Sequence, residues 1–165
     1  MNTDLEKQEL IKMMAIHLQN QHTIPPLAGR IWASIIIDGK DKGLTFDYLV
    51  EKLHASKSSI STNLNLLLKS DNIYFSTIVG DRKKYFRAFP FSERFVRLLK
   101  NMAFEKKLLD KLIEHKSKEA SLSGNNCSLY NIQAYKDHLD EMELLTQKIL
   151  EDLKNIEQEN QKINN

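Results

Sequence analysis

A mainly α (α+β) fold is predicted, a winged helix-turn-helix flanked by long terminal helices, and three observations predict it. Two short amphipathic segments, Phe46–His54 and Lys57–Ser70, are separated only by Ala55-Ser56, which gives a helix, a tight turn and a helix. Two runs rich in β-branched and aromatic residues follow, Asn72–Val79 and Tyr85–Phe89. They are joined by Gly80-Asp81-Arg82-Lys83, which makes a basic hairpin. Tyr135, Leu139, Met142, Thr146, Ile149, Leu153, Ile156, Asn160 and Ile163 then recur at alternating spacings of four and three, a heptad seam of about four repeats. Five Gly and three Pro in 165 residues suit such a chain, because few loops have to be built.

The first expected helix is Asp4–Gln21, with Thr3 and Glu6 as a capping box and Leu10, Ile11, Met14 and Leu18 as its apolar stripe. His17 and His22 near its end are five apart. A helical metal pair needs three or four, so they read as surface or interface histidines. Thr23-Ile24-Pro25-Pro26 breaks the helix, and Pro26 suits the first turn of the next, Leu27–Ile37. There Leu27, Ile31, Ser34 and Ile35 share a face, and Gly29 and Ala33 allow a close neighbour. Trp32 reads as core packing, with an effector pocket as the other role open to it. After a polar turn, Leu44 is expected to add a one- or two-residue strand to the later hairpin. Thr45 and Ser56 are the expected N-caps of the two helices that follow, and Phe46, Leu49, Val50 and Leu53 line the first of these.

The second helix of the pair has Ile60, Leu64, Leu67 and Leu68 on one side. The opposite side holds Ser58, Ser59, Thr62, Asn65 and Lys69, which are mostly short, all polar and free of acids. Such side chains approach base edges and phosphates without like-charge repulsion, whereas a solvated helix face more often mixes Glu with Lys. Lys57, Lys69, Lys83 and Lys84 are the expected phosphate contacts. Ser58, Ser59, Thr62 and Asn65 are the expected base contacts, and Arg82 at the hairpin tip suits a narrow minor groove.

Beyond Pro90 a helix is expected over Phe91–Lys116, with Phe91, Phe95, Leu98, Met102, Leu109 and Leu112 as its stripe. A polar loop is expected over Ser117–Ser128, and a last helix over Leu129–Ile163. The heptad seam requires a partner helix, either Phe91–Lys116 or the same helix of a second chain. A homodimer through Leu139, Met142, Ile149, Leu153 and Ile156 is the expectation. Asn160 at a seam position either fixes register or lies where the helix frays.

Net charge is only +2, but 12 Lys/Arg face 4 Asp/Glu between Arg82 and Lys118, while 4 Lys face 8 Asp/Glu from Tyr135 onward. A basic middle and an acidic end suggest that one part faces a polyanion, the bland alternative being two solvated helix faces of opposite bias. No run of about 18 apolar residues exists and the N-terminus is polar, so neither a membrane span nor a leader is expected. Cys127 is the only cysteine, which excludes an internal disulfide and points to a reducing cytoplasm. With no cationic cluster or second thiol nearby, it reads as an unremarkable thiol and not as a redox sensor. No Gly-rich phosphate loop, no nucleophile–base–acid set and no metal-ligand cluster is present, so no catalytic residue, cofactor or metal is expected.

Three stretches carry a resemblance. They are Pro26-Leu27-Ala28-Gly29-Arg30-Ile31, Ser56-Lys57-Ser58-Ser59-Ile60-Ser61 with Leu64 and Leu67, and Gly80-Asp81-Arg82-Lys83-Lys84-Tyr85-Phe86. They resemble, in order, the helix opening before the reading head, the recognition helix and the wing of MarR-type winged-helix transcription regulators, the GbsR-like subgroup above all. The match spans about residues 24 to 90, and Asp81-Arg82 matches the wider family's wing pair. The resemblance implies an obligate dimer through the first and last helices, a palindromic operator and effector control of DNA affinity. The subgroup is associated with osmoprotectant and choline metabolism or with membrane transport genes. After the wing, Pro90-Phe91-Ser92-Glu93 replaces the family's threonine and glycine, so no family ligand-site position is carried over.

The expected organisation is therefore an N-terminal dimerisation helix over 1–22, a winged helix-turn-helix over 23–90 and a helical dimerisation region over 91–165. The function expected is a sequence-specific double-stranded DNA-binding regulator, a repressor under small-molecule control. The alternative is a winged-helix protein–protein interaction module, which requires exposed apolar anchors on the same face, where Leu66 alone is large and apolar.

Overall fold

The structure is a computed structural model that describes residues 3–39, 42–123 and 127–163. It contains six helices and three short strands among the described residues. These are α1 (Thr3–His22), α2 (Pro26–Asp38), β1 (Leu44–Thr45), α3 (Phe46–Leu53), α4 (Lys57–Lys69), β2 (Ile73–Thr77), β3 (Lys84–Ala88), α5 (Phe91–Ser123) and α6 (Cys127–Ile163). They divide into two compact units, Met1–Phe89 and Pro90–Asn165.

In the first unit α2 is the central helix, packed on α1, α3, α4 and β3. Seven of its thirteen residues are buried, from Ala28 and Gly29 to Ile35, which is why its sequence is apolar nearly all round. Pro26 opens it, where a missing N–H costs nothing. A Cβ at Gly29 would stand 2.8 Å from the Ala15 carbonyl oxygen, so glycine is what lets α1 cross so closely. That crossing selects Ile11, Ala15 and Leu18 as the buried row of α1. Leu10, expected in the stripe, stays exposed instead, as do Leu5, Met13 and Ile16. Thr3 is the first helical residue, not a flanking cap. Trp32 is buried, with its ring 4.7 Å from that of His22.

The three strands form one antiparallel sheet in the order β1-β3-β2. Leu44 pairs with Phe86 as expected, and Phe75 pairs with Phe86 from the other side. Ile73 and Phe86 turn inward onto the same core as Leu49, Ile60, Leu64 and Leu67. Asp38, at the C-terminal end of α2, ties three helices together through ion pairs with Lys7 of α1 and Lys52 of α3. Burial pushes its carboxyl up, but hydrogen bonding to the two ammonium groups outweighs this and leaves it below the ordinary carboxylate range.

The second unit is an antiparallel hairpin of α5 and α6. The expected loop at Ser117 is not there, and α5 runs on through Ser123. Helical pairs hold this stretch, with Lys116 on Glu119 and Lys118 on Glu114, both at 2.6 Å. The Ser117 hydroxyl donates to the Ile113 carbonyl of its own helix, so it does not break the turn. The remainder of the expected loop at 124–126, and the side chain of Cys127, lie outside the described residues.

The seam of α6 is divided between two uses. Leu139 (5% exposed), Thr146 and half-buried Leu153 face α5, where Met102 is the buried counterpart. Met142 (52%) and Ile156 (53%) are exposed, and Ile149 is half-buried. Ile132, Lys136, Glu143, Leu150 and Glu157 face α5 as well, and together with Leu139, Thr146 and Leu153 they recur at spacings of four and three. Polar groups there are paired across the hairpin. Lys106 meets Asp140 at 2.5 Å and Glu143 at 2.6 Å, and this holds its ammonium well above its ordinary pKa. Glu157 accepts from the Ser92 backbone N–H at 3.1 Å and from its hydroxyl at 2.6 Å. On α5, Phe91, Leu98 and Leu112 of the expected stripe are exposed, because Ser92, Phe95, Leu99, Met102 and Leu109 take the contact row.

Candidate nucleic-acid interface

The pair α3 and α4 is fixed by local chemistry. The Thr45 hydroxyl accepts from the Tyr48 N–H at 3.3 Å and the Ser56 hydroxyl from the Ser59 N–H at 3.1 Å, so both expected caps are formed. His54 ends α3 in the left-handed region, at φ 49°, and turns the chain into Ala55-Ser56 within two residues. Ile60, Leu64 and Leu67 are buried, which leaves Lys57, Ser58, Ser61, Thr62, Asn65, Leu66 and Lys69 exposed along the opposite side of α4. None of these is acidic. Ser58, Thr62, Asn65 and Lys69, spaced four, three and four, form the middle of that row.

Two details depart from the sequence reading. Ser59 is half-buried and its hydroxyl accepts from that of Ser56 at 2.8 Å, so it belongs to the cap as much as to the outer face. Ser61, which sequence reasoning passed over, is exposed beside Thr62. Its signal was there in the helical spacing, three residues from Ser58 and four from Asn65.

Asn72 joins α4 to the hairpin. It is buried, its N–H donates to the Leu67 carbonyl at 2.9 Å and its side-chain amide to the Ser70 hydroxyl at 2.9 Å. β2 ends at Thr77, two residues earlier than expected, because the chain already turns at Ile78, whose carbonyl accepts from the Asp81 N–H at 2.9 Å. Gly80 takes φ +86° at that turn, a conformation that suits glycine. Asp81 then braces the tip. One carboxylate oxygen accepts from the Lys83 N–H at 2.9 Å and the other from the Tyr85 hydroxyl at 2.7 Å. The Tyr85 hydroxyl and the Lys83 N–H hold the Asp81 carboxyl below its ordinary range, and Asp81 in turn pushes the Tyr85 phenol up. Arg82 and Lys83 are exposed at this tip. Lys84 is exposed with its ammonium 4.3 Å from the centre of the Phe75 ring. Arg87 lies lower, half-buried, and donates to the Lys42 carbonyl at 3.4 Å.

All nine residues expected at a DNA surface thus lie on α4 or the hairpin tip of one compact unit, and eight of them are exposed. Among the described residues no group of three His, Cys, Asp or Glu is placed to hold a metal ion, and no helix is long and apolar enough to cross a membrane.

The fold is that of a known regulator. A crystal structure described as a transcriptional regulator overlays with a TM-score of 0.64 at 22% identity, covering 91% of this chain and 99% of that one. Likeness at this identity establishes the winged-helix fold, with its helical extensions. Two mutants of S. aureus MepR, one of them from a multidrug-resistant clinical isolate, overlay at a TM-score of 0.42 and 20% identity. They cover 78% and 79% of this chain and 98% of theirs. No protein-family model matches the chain, and no curated protein matches it.

Proposed function

We propose that this protein is a sequence-specific DNA-binding transcription regulator of MarR type, closest in character to the GbsR-like subgroup, and that it acts in the cytoplasm as a homodimeric repressor on a palindromic operator. The observation that carries the reading is the acid-free exposed row of α4 beside a wing tip carrying Arg82, Lys83 and Lys84. A major groove accepts a helix with such a face, and the narrower minor groove attracts arginine. Lys57, Lys69, Lys83 and Lys84 hold phosphates, Ser58, Thr62 and Asn65 meet bases with Ser59 at the edge of the row, and Arg82 enters the minor groove. The reading is non-enzymatic, in keeping with the regulator whose fold the chain shares.

A single head of this size and light charge binds one half-site weakly, so the dimer supplies the affinity. Exposed Met142 and Ile156, with Ile149 between them, support a dimer face on α6, while Leu139 and Leu153 serve it by holding the hairpin rigid. The Tyr135 hydroxyl donates to Glu105 at 2.7 Å, and Glu105 stands in the same heptad row as exposed Leu98 and Leu112. That contact supports one continuous apolar face built from both helices. Exposed Leu5, Leu10, Met13 and Ile16 support a share for α1, so that 1–22 and 91–165 serve dimerisation around a reading head at 23–90. A small-molecule effector acts by binding two arrangements of the heads with different affinity.

Selection of bound sequences from a random duplex pool tests this. The expected product is an inverted repeat whose half-site centres lie about 10 base pairs, or a multiple of that, apart. Recovery of no enriched sequence at low salt overturns it.

A further inference from the structure

The α5/α6 hairpin has a second pair of surfaces, on the sides of the two helices turned away from each other. On α5, Phe104 is 64% exposed, and Lys107 and Lys111 stand beside it. Neither lysine has an acidic partner within ion-pair distance among the described residues. Taking the contact row Leu99, Met102, Lys106 and Leu109 as the inner side, helical geometry puts these residues on the outer one. On α6 the inner row is Leu139, Thr146 and Leu153, and the outer side carries Leu144, 69% exposed, with Asp137 and Glu141.

We propose that these outer sides bind each other between copies of this chain, the basic side of α5 on one copy against the acidic side of α6 on the next. Charge complementarity and register argue for a second copy as the occupant. Inside the hairpin, Lys106 meets Glu143 and Ser92 meets Glu157. An antiparallel register shifted by only one residue from that one sets Phe104 on Leu144, Lys107 on Glu141 and Lys111 on Asp137. Both ion pairs then lie on one side of the apolar contact, and their attraction outweighs the single like-charge position on the other side, where Lys100 meets Lys148. The two surfaces differ, so the contact is heterologous. It leaves one basic and one acidic side free at the ends and extends by repetition. This surface is separate from the apolar face assigned to the dimer, and it joins dimers side by side. On the DNA-binding reading, dimers joined this way occupy neighbouring operators cooperatively, because each raises the effective concentration of the next.

Sedimentation velocity of the full chain over a concentration series, at low and high salt, tests the proposal. Association beyond the dimer is expected at low salt and is expected to fade as salt rises, since the pairs are exposed. K107E/K111E weakens that association about tenfold, as two lost attractions and two new repulsions require. D137K/E141K does the same. The quadruple variant carrying all four changes restores it, as does mixing the two double variants, because each then offers the charge the other lacks. Circular dichroism confirms that each variant keeps its helices. Unchanged association in both double variants overturns the proposal, and so does loss without restoration in the quadruple variant. If K107E/K111E instead lowers DNA affinity while association stays as it was, the basic side is a nucleic-acid contact and the proposal fails, with the DNA-binding reading untouched.

Discussion

Replacing Asp38 with Asn removes a charge at nearly constant shape and tests how the first unit is tied together. The carboxylate is 3% exposed and is paired with Lys52 of α3 and Lys7 of α1. A hydrogen bond to a charged partner contributes about 1.5–3 kcal/mol, and the Lys52 pair is partly buried, so the lower half of that range applies to it. Lys7 is nearly half exposed and its pair contributes about 0.5 kcal/mol. An anion at the C-terminal end of α2 is unfavourable by about 0.5 kcal/mol, and the substitution relieves it. The balance is a loss of about 1.5–2 kcal/mol at neutral pH. The carboxyl lies below its ordinary range in the folded protein, so its contribution is present above the unfolded pKa and is lost as pH falls through the folded one. Urea denaturation of both proteins, followed by circular dichroism at neutral and acid pH, reads this out. The wild type is the more stable at neutral pH, and the gap closes on acidification. A variant as stable as the wild type at neutral pH, with the same fall toward acid, refutes the reasoning.

Three further outcomes are expected. Gly29→Ala places a methyl group 2.8 Å from the Ala15 carbonyl oxygen and forces α1 and α2 apart, at about 1–3 kcal/mol in denaturant melts. Ser34→Ala removes a fully buried hydroxyl that has no hydrogen-bond partner among the described residues, and so stabilises the fold by about 1 kcal/mol, seen as a raised denaturation midpoint. Tyr85→Phe frees Asp81 and loosens the wing tip. Operator affinity then drops about two- to fivefold in fluorescence anisotropy while thermal melting is unchanged.

The helix-turn-helix was legible because its signals are local. Thr45 and Ser56 cap their helices through bonds to residues three positions away, and the 3.6-residue period of Ile60, Leu64 and Leu67 fixes which side of α4 faces out. Even β1 could be foreseen from Leu44, since a hairpin edge needs a partner. What the sequence hid depends on which neighbour arrives. Two adjacent rows of α6 both satisfy a 4-3 spacing, and only the position of α5 decides that Leu139 turns inward while Met142 stays out. The α1 stripe shifted from Leu10 toward Ala15 for the same reason, because Gly29 admits a backbone there and a larger residue does not. Ser117 and its polar neighbours read as a loop, yet their charges pair at helical spacing and extend α5 instead. The Lys7–Asp38–Lys52 node joins residues far apart in the chain, and no local pattern announces it.

Salt dependence of binding to the selected operator tests the central claim most directly. Each lost phosphate contact lowers the slope of log affinity against log salt by about one. Arg82→Ala with Lys69→Ala is expected to weaken binding and to reduce that slope by about one to two for each half-site, with the fold and the dimer unchanged. The same affinity and the same slope in the double variant would contradict it.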